Sequence, residues 1–366
     1  MERLYPQLII DALKNVRYPG TGRDIVTDGM LADDIRIDGS KVSFSIIFPK
    51  STDPFARSLM KSAEAAIHQS ISPEVEVTVK SQYASTAPEK RPALPGVKNI
   101  IGISSGKGGV GKSTVASNLA VALAREGYKV GLLDADIFGP SVPKMFGLED
   151  ESLYMHEVDG RQLIIPAERY GVKVLSIGFL VDKNSPVLWR GSMASNALRQ
   201  LIEEADWGDL DYFLIDMPPG TSDIHLTLVQ TLALTGVVVV STPQEVALAD
   251  ARKGIAMFTG EKVNVPVLGL VENMAWFTPE KHPDERYYIF GREGAVRLAE
   301  ELHVRLLAQI PIVGSICDGG DGGEPIALAD SVTGMSFMHL AHEVIDAVAE
   351  RNDTLPPTMK VNVTKR

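Results

Sequence analysis

Hydrophobic residues in the larger, C-terminal part of the chain form short continuous runs. Between these runs, apolar residues recur every three or four positions, as on one face of a helix. A continuous apolar run is typical of a strand that is buried on both faces. The alternation therefore predicts an α/β fold with a mainly parallel sheet flanked by helices. The runs are KNIIGISS, KVGLLDAD, VKVLSIG, DYFLID, GVVVVST, VPVLGLVENM and VRLLAQIP.

The first part of the chain has a different pattern. Residues 2–16 have helical apolar spacing, and apolar and polar residues then alternate on both sides of Asp38-Gly39, as in a β-hairpin. A second helical stretch has Pro54 near its start, and EVEVTVKS alternates again. This order predicts a small α+β domain over residues 1–82.

Proline and glycine separate the two parts. Residues 83–97 read YASTAPEKRPALPGV and contain few large apolar side chains, so we interpret them as an interdomain linker. Residues 98–352 then form the larger domain. The last stretch, residues 353–366, follows a final helix and is expected to be a loose tail.

The charge balance bears on possible partners. With 36 Lys and Arg against 47 Asp and Glu, the formal net charge is −11, which argues against broad binding to nucleic acid or anionic lipid. The start MERLYPQLII lacks the pattern of a signal peptide, and there is one cysteine. The most apolar run, TLALTGVVVVS, is well short of the roughly 20 residues of a membrane span. We expect a cytoplasmic protein without nucleic-acid or membrane partners.

A glycine-rich segment carries the strongest chemical signal. The segment from Gly106 to Ser113 satisfies G-x-x-x-x-G-K-[ST], directly after a predicted strand and before the helical run STVASNLAVALARE. Its backbone N–H groups can surround a polyphosphate, Lys112 can reach the β- and γ-phosphates, and the hydroxyl of Ser113 can bind Mg²⁺. The predicted nucleotide-binding residues here are Gly106, Lys107, Gly108, Gly109, Val110, Gly111, Lys112, Ser113 and Thr114.

Lys107 is an additional lysine in this loop, with a glycine on each side. A side chain this early in the loop points away from the phosphates that its own backbone surrounds. It can serve a neighbouring site, as an arginine finger supplied in trans does. The alternative is a solvated surface lysine, and the loop by itself leaves both interpretations open.

Acidic residues follow two of the predicted strands. Asp134 and Asp136 end KVGLLDAD, and Asp216 ends DYFLID as in a Walker B strand. The carboxyl ends of parallel strands are where α/β folds bind ligands. The first pair can complete a Mg²⁺ shell and orient an attacking water, or can simply begin a loop, whereas Asp216 can anchor Mg²⁺ through a water.

Two further backbone and side-chain groups are candidates for nucleotide contacts. In the turn Met217-Pro-Pro-Gly220, the prolines have no N–H, so the N–H of Gly220 is a candidate sensor for the γ-phosphate. Such a turn would be a nucleotide switch, and the alternative is a structural turn. Asn273, in VENMAW, has the amide donor and acceptor needed to read adenine, although an asparagine at a strand end is usually a cap or turn residue.

Taken in order, these motifs resemble the Mrp/ApbC family of iron–sulfur cluster carrier ATPases over essentially all of residues 98–350. The likeness is carried by SSGKGGVGKST, DADIFGPSVPKMFGL, VLWRGSMASNALRQLI, WGDLDYFLIDMPPGTSD, VENMAWF and IFGREGA. This family belongs to the deviant-Walker ATPases, with MinD and ParA, which act as nucleotide-bridged homodimers.

The resemblance assigns roles to residues of this chain. It implies that Lys107, Lys112 and Asp136 are catalytic, with Lys107 reaching the nucleotide of the partner subunit and Asp136 lying in switch I near the attacking water. It places Asp216 and Gly220 in switch II and Asn273 at the adenine. It also implies ATP and Mg²⁺ as cofactors, with Ser113, Asp134 and Asp216 as the Mg²⁺ residues. Residues 1–85 resemble a small iron–sulfur assembly domain related to SufT, through VRYPGTGRDIVTDGMLADDIRIDG.

The cysteines differ from the family pattern. Many Mrp proteins have Cys-x-x-Cys soon after the ENM strand, whereas FTPEKHPDERYYIFG has no cysteine here, and neither has FPKSTDPFARSLM in the small domain. One cysteine per chain supplies two thiolates in a dimer, whereas a [4Fe–4S] cluster normally takes four. Cys317, expected in an exposed Gly- and Asp-rich loop, and His282 are the candidate substitutes; the latter is more often an ordinary loop residue.

The leading functional hypothesis is a homodimeric Mg²⁺-ATPase that loads or delivers iron–sulfur clusters to apoproteins, or that works with a scaffold protein holding the cluster. The alternative is a positioning or regulatory ATPase of the MinD or ParA kind, without cluster binding. The final residues lack a long amphipathic helix for membrane attachment, and the net charge disfavours DNA binding. A metabolic kinase fits Lys107 and the DMPPGTSD turn less well.

Overall fold

The computed structural model describes residues 4–19, 21–32, 34–48, 53, 55–83, 93–137, 139–158, 160–180, 191–279, 282 and 284–361. The chain divides into two compact units, residues 1–91 and residues 92–366. In the described part of the chain, no helix has the length and apolar character needed to span a membrane.

The small unit packs two helices on a short sheet. A hairpin turn at Gly39, with φ +59°, joins antiparallel β1 and β2, and β3 runs parallel to β2. Parallel neighbours need a crossover, which α2 provides. The elements are α1 (Pro6–Leu13), β1 (Arg36–Asp38), β2 (Lys41–Phe48), α2 (Ala56–Ser70) and β3 (Glu76–Tyr83). Buried Ile9, Phe44 and Ile67 come from both layers, so the predicted small α+β unit is confirmed.

The large unit alternates strands and helices over most of its length. Its strands are β4 (Val97–Ser104), β5 (Val130–Asp134), β6 (Tyr154–Val158), β7 (Arg161–Ile165), β8 (Ala167–Arg169), β9 (Val172–Ser176), β10 (Leu210–Asp216), β11 (Gly236–Ser241), β12 (Val267–Glu272) and β13 (Leu306–Gln309). Its helices are α3 (Lys112–Arg125), α4 (Val142–Met145), α5 (Gly191–Glu203), α6 (Asp223–Thr231), α7 (Glu245–Thr259), α8 (Gly294–Leu302), α9 (Gly314–Gly322) and α10 (Val332–Thr354), with 3₁₀ turns at Ile177–Leu180 and Ile326–Leu328.

Among the described residues, the main sheet has eight strands in the order β13-β12-β11-β4-β10-β5-β9-β8. Only the edge strand β8 is antiparallel to its neighbour. Leu132 and Leu214 belong to the apolar cluster on one face, and Leu133 and Phe213 to the cluster on the other. Both faces are therefore covered, as the continuous apolar runs predict, and every strand predicted for this unit is present.

The β6–β7 hairpin and β8 are additional to the predicted strands. Tyr154 and Met155 in β6 are more than half exposed, so this hairpin has no continuous apolar run to reveal it. The short strand β8 follows directly after the hairpin. Periodicity reports burial, and an exposed hairpin gives it little signal.

The boundaries of the predicted linker and tail differ from the structure. Within the predicted linker, Tyr83 still belongs to β3, Val97 already belongs to β4, and Leu94 is buried in the large unit. Residues 84–92 lie outside the described residues.

The expectation of a loose C-terminal tail is wrong for the residues that the structure describes. Helix α10 continues through residue 354, and the guanidinium of buried Arg351 donates 2.7 Å bonds to the carbonyl of Pro356 and the hydroxyl of Thr358. Farther along, the N–H of Val361 donates to the carbonyl of Val229 at 3.0 Å. These contacts hold the segment against the large unit, and local sequence does not reveal them because its partners lie elsewhere. Residues 362–366 lie outside the described residues.

Candidate functional site

The glycine-rich loop joins the end of β4 to the start of α3. Gly109 and Gly111 have φ of +83° and +81°, in the left-handed region that favours glycine. Gly106 is required for a different reason, because a Cβ there would lie 2.1 Å from the carbonyl carbon of Asp250 in α7. The loop is therefore both turned at its glycines and pressed against a neighbouring helix.

Lys112 begins α3 and is 6% exposed. Its Nζ donates to Oδ1 of Asp216 at 2.5 Å and lies 3.8 Å from Oδ2 of Asp136 and 3.3 Å from Oγ of Ser113. The lysine predicted to reach phosphates is thus held by the acidic residues at the ends of neighbouring strands. Three parts of the sequence that lie far apart meet at this one ammonium group.

Asp134 and Asp216 are in register on the adjacent parallel strands β5 and β10, and both are fully buried. Asp134 accepts bonds from Oγ of Ser176 at 2.9 Å and from the backbone N–H groups of Val142 and Asp136. Burial, reinforced by the nearby charge of Asp216, raises the pKa of Asp134 to about 8. Burial therefore disfavours the charged form of Asp134, and the carboxylates that contact Lys112 are those of Asp136 and Asp216.

Asp216 has one oxygen bonded to Lys112 and one that is unsatisfied. Its Oδ2 is buried and has no hydrogen-bond partner among the described residues. Burial raises the pKa of Asp216, whereas Lys112 and the neighbouring hydroxyl of Ser113 act in the opposite direction. A free carboxylate oxygen beside a hydroxyl is a donor set that suits hydrated Mg²⁺. The residues present therefore fit the predicted Mg²⁺ site.

A cavity of about 210 Å³ lies over this cluster. Lys107 is exposed at the loop, and its carbonyl accepts a 3.0 Å bond from Oγ of Ser105. The lining residues are Ser105, Lys107, Gly108, Gly109, Gly111, Lys112, Ser113, Thr114, Asp136, Ser141, Met145 and Pro219. The structure thus brings most of the predicted phosphate-loop residues and Asp136 around one space.

The turn after β10 is attached to the glycine-rich loop. Gly220, with φ +79°, donates its N–H to the carbonyl of Ser105 at 2.9 Å, and the N–H of Met217 donates to Ile103 at 3.0 Å. The N–H predicted to sense a γ-phosphate is therefore bonded to the loop in this structure.

Asn273 lies beneath the same loop and is 6% exposed. Its Nδ2 donates to the carbonyl of Val110 at 2.8 Å, and a Cβ on Gly111 would lie 2.1 Å from that nitrogen. The amide donor supports the loop in this structure, and the adenine contact stays a prediction.

Two residues of the site are missed by sequence reasoning. Ser176 ends β9 and donates to Asp134, and its only sequence signal is a serine at the end of a predicted strand. His225 is buried in α6, where its Nδ1 accepts a 3.1 Å bond from the N–H of Ser222. The Ser-x-x-His spacing resembles that of a helix capping box, which could have revealed it.

Comparison with known families agrees with this geometry. Residues 96–345 match the family described as "NUBPL iron-transfer P-loop NTPase", and residues 6–79 match "Iron-sulfur cluster assembly protein". The chain belongs to the NUBPL iron-transfer P-loop NTPase family.

Members of this family with curated descriptions are similar over much of the chain. An "Iron-sulfur cluster carrier protein" from Synechocystis is 40% identical over 346 residues, covering 93% of this chain and 97% of that protein. An "Iron-sulfur protein required for NADH dehydrogenase, mitochondrial" from Arabidopsis thaliana is 47% identical, covering 74% and 86%. A solved nucleotide-binding protein from Archaeoglobus fulgidus, in complex with ADP, is 40% identical with a TM-score of 0.56, covering 65% of this chain and 91% of that one.

For an iron-transfer NTPase, the position of the cysteine matters. Cys317 is exposed as expected, but it lies in helix α9 and the expected loop is wrong. Glycine-rich sequence disfavours helix, so packing against α4 overrides the local preference. The charges of Asp321 and Asp318, with a hydrogen bond to Asp321, raise the pKa of the Cys317 thiol and so disfavour the thiolate that binds iron.

His282 offers little support for a cluster site. Its side chain is 63% exposed, and its Nδ1 lies 3.6 Å from Oε1 of Glu285. Across the described residues, no group of three or more His, Cys, Asp or Glu side chains is arranged to hold a metal ion. The predicted iron–sulfur roles of Cys317 and His282 thus have no assembled ligand set in this part of the chain.

Proposed function

We propose that this chain is an Mg²⁺-dependent ATPase whose hydrolysis cycle drives transfer of iron–sulfur clusters to apoproteins. The observation that carries the ATPase proposal is the convergence of Asp136 and Asp216 on Lys112, which lines the cavity of the glycine-rich loop. The descriptions of its relatives as cluster carrier proteins support cluster transfer over the alternative of a positioning ATPase.

Lys112 binds the β- and γ-phosphates in this proposal. Its ammonium group is neutralised by Asp216 in the structure, so a polyphosphate competes with that carboxylate for the same cation. When Lys112 moves to the phosphates, Asp216 loses its bond to the lysine. Asp216 and the hydroxyl of Ser113 would be the residues that hold Mg²⁺, which would neutralise charge on the phosphates. Asp134 lies in the outer shell, where its bond to the N–H of Asp136 positions that residue.

Asp136 orients the attacking water. Its side chain is mostly buried, lines the cavity and lies within 4 Å of Lys112, so its carboxylate faces the place of the terminal phosphate. A carboxylate there accepts a hydrogen bond from a water molecule and directs a lone pair toward phosphorus.

Lys107 completes the site of a partner subunit in a nucleotide-bridged homodimer. Its exposure at the loop supports this role, because an exposed ammonium group is accessible to a second subunit, whereas that of buried Lys112 is not. The positive charge added by the partner stabilises negative charge that develops on the transferred phosphoryl group.

The cluster is the cargo of this cycle. Cys317 supplies one thiol per chain, and its pKa is raised by its acidic neighbours. We therefore propose that thiolates of a partner, either a scaffold protein or the receiving apoprotein, provide most of the cluster ligands.

Steady-state phosphate release tests the ATPase proposal. Lys112→Ala should abolish tight ATP binding, whereas Asp136→Asn should keep binding and lower turnover by about 100-fold or more, since it removes the group that orients water. Arg252→Ala, which removes an exposed ion pair with Glu301, is the matched control and should hydrolyse ATP normally. Equal turnover in Asp136→Asn and wild type would refute the assignment.

Anaerobic iron and sulfide reconstitution tests the cargo proposal. Wild type and Cys317→Ala should take up equally little iron alone, and wild type should accelerate cluster transfer from a loaded scaffold to an apoprotein when ATP is present. A stable cluster that depends on Cys317 in the isolated protein would contradict the proposal that partners supply the ligands.

A further inference from the structure

The turn of residues 217–222 is held at both ends. Toward the glycine-rich loop, the N–H of Gly220 donates to Ser105 at 2.9 Å. Toward α6, Ser222 is the N-cap and its N–H donates to Nδ1 of His225, while its side chain accepts from the backbone N–H of that residue. This is a capping box in which histidine takes the place usually held by Glu or Gln.

The bond to Nδ1 determines the tautomer of His225. Because Nδ1 accepts from Ser222, it carries a lone pair. The side chain is 1% exposed, and burial lowers the pKa of His225 to about 4 against the opposing effect of backbone groups of Ser222 and Pro218. The ring is neutral at pH 7, so its proton lies on Nε2.

The Nε2–H group of His225 is a buried donor without an acceptor among the described residues. The backbone of Pro218 is near enough to act on the imidazole, yet it makes no hydrogen bond of normal geometry with Nε2. At the start of the same turn, Oδ2 of Asp216 is a buried acceptor that also has no partner in the described part of the chain. Buried polar groups are almost always paired, so these two groups lack hydrogen-bond partners that another position of the turn could provide.

Nucleotide binding changes the position of this turn if Gly220 senses the terminal phosphate. Its N–H must first leave the carbonyl of Ser105, and Pro218 and Pro219 move with it because their rings restrict the backbone. His225 does not follow, because its ring is buried in α6 and packs against Phe258 of α7, with ring centroids 6.1 Å apart.

We infer that His225 is a positioning residue of the nucleotide switch. In the nucleotide-bound turn, its Nε2–H donates to the carbonyl of Pro218, and this bond holds Gly220 where its N–H contacts the γ-phosphate. The inference rests on the proposed function of this turn as a switch. We call this bond between His225 and Pro218 the latch. It acts on the position of the turn, whereas other residues contact nucleotide or Mg²⁺ directly.

Nuclear magnetic resonance of ¹⁵N-histidine-labelled wild-type protein tests the latch directly. The chain has seven histidines, and His225→Gln assigns the signal by its disappearance. The nucleotide-free spectrum should show the Nε2–H tautomer. Adding Mg²⁺ and a non-hydrolysable ATP analogue should move the Nε2–H proton downfield, as a new hydrogen bond does, whereas ADP should leave it near its starting position.

The backbone amide of Gly220 distinguishes the two possible failures. If Gly220 responds to the ATP analogue and the His225 proton does not, the latch is wrong and the switch stands. If neither responds although nucleotide binds, the proposed switch itself is wrong. An Nδ1–H tautomer in the nucleotide-free protein would also overturn the latch.

Turnover of matched variants provides the functional test. His225→Phe keeps the ring volume but removes the donor, so kcat should fall about tenfold with KM and ADP affinity unchanged, the size expected for one buried hydrogen bond. His225→Gln keeps both an acceptor for Ser222 and a donor, and should stay within about threefold of wild type. Ser222→Ala is the stability control, since it weakens the helix cap and leaves the imidazole in place.

A merely structural role of His225 predicts a different ranking of kcat among these variants. In that case Ser222→Ala and His225→Phe would lower kcat in proportion to their loss of melting temperature, and His225→Gln would not restore turnover. That result would refute the inference even if every variant folds.

Discussion

At the scale of single residues, the site places several ionisable side chains in a buried position. Asp134 and Asp216 lie side by side with no exposure, and one lysine, Lys112, faces both the second aspartate and Asp136. Two adjacent buried carboxylates are costly to ionise together, so one of them takes up a proton. A bound cation such as Mg²⁺ would stabilise the ionised form of these carboxyl groups.

The protonation of Asp134 predicts a specific dependence of stability on pH. Its pKa rises from 3.8 to about 8 on folding, so between these values the folded state binds more protons and stability falls as pH rises. The pKa of His225 changes from 6.5 to about 4, so its charging opposes folding only as pH drops below 6.5. The window from pH 6.5 to 8 therefore reports on the carboxyl groups.

Asp134→Asn tests this prediction, because asparagine resembles the protonated carboxyl group in shape. Denaturant unfolding of nucleotide-free protein should show that wild type loses stability from pH 6.5 to 8 and that the variant loses clearly less. Asp353→Asn, at an exposed position, should retain the wild-type slope. Parallel slopes for wild type and Asp134→Asn would show that Asp134 is not the group that titrates.

At the scale of elements, the glycine-rich loop depends on its neighbours as well as on its own sequence. Asn273, after β12, holds the carbonyl of Val110, and α7 approaches Gly106 closely enough to exclude a side chain. The turn after β10 is bonded to the loop through Gly220. The loop is thus supported from several sides, and a change in any one support should alter nucleotide binding.

A pair of glycine substitutions separates packing from loop flexibility. Gly106→Ala places a Cβ against the backbone of Asp250, so it should cost about 1–3 kcal/mol of stability and weaken ADP binding markedly. Gly108→Ala is the matched control, because the nearest atom to its Cβ would be Cγ of Pro219 at 3.9 Å, an ordinary contact. Thermal unfolding and calorimetric titration with ADP measure both effects. Equal losses in the two variants would argue against close packing as the cause.

At the scale of the whole molecule, the chain combines two units that match different family descriptions, over residues 6–79 and 96–345. Only the larger unit contains the proposed nucleotide site, and the described residues of both units include no group of three or more His, Cys, Asp or Glu side chains arranged to hold a metal ion. In our proposal, cluster transfer by this chain needs partners that supply ligands, and hydrolysis needs a second copy that supplies Lys107.

Mixing two inactive variants tests the homodimer. Lys107→Ala should bind ATP but fail to turn it over, and Lys112→Ala should fail to bind. In a mixed dimer, the Lys107→Ala subunit still binds ATP through its own Lys112, and its partner supplies Lys107. An equal mixture should therefore recover about a quarter of wild-type phosphate release, from one working site in half of the dimers. Activity that stays at the level of the separate variants would contradict action in trans.

Local residue patterns are enough to predict the large sheet and the location of the phosphate loop. Continuous apolar runs report strands buried on both faces, and the loop pattern depends on residues next to one another. These patterns do not predict the exposed β6–β7 hairpin, and they give wrong expectations for helix α9 and for the anchored residues before 362. The conformations of these segments depend on packing against distant parts of the chain.

The pairing of polar groups at the site depends on how distant segments of the chain fold together. The bond from Asn273 to Val110 joins residues 163 positions apart, and that from Lys112 to Asp216 joins residues 104 positions apart. Whether Nε2 of His225 has an acceptor depends on where α6 places the ring relative to the turn. Hydrogen bonds change with fractions of an ångström, whereas residue patterns specify only which groups are able to form them.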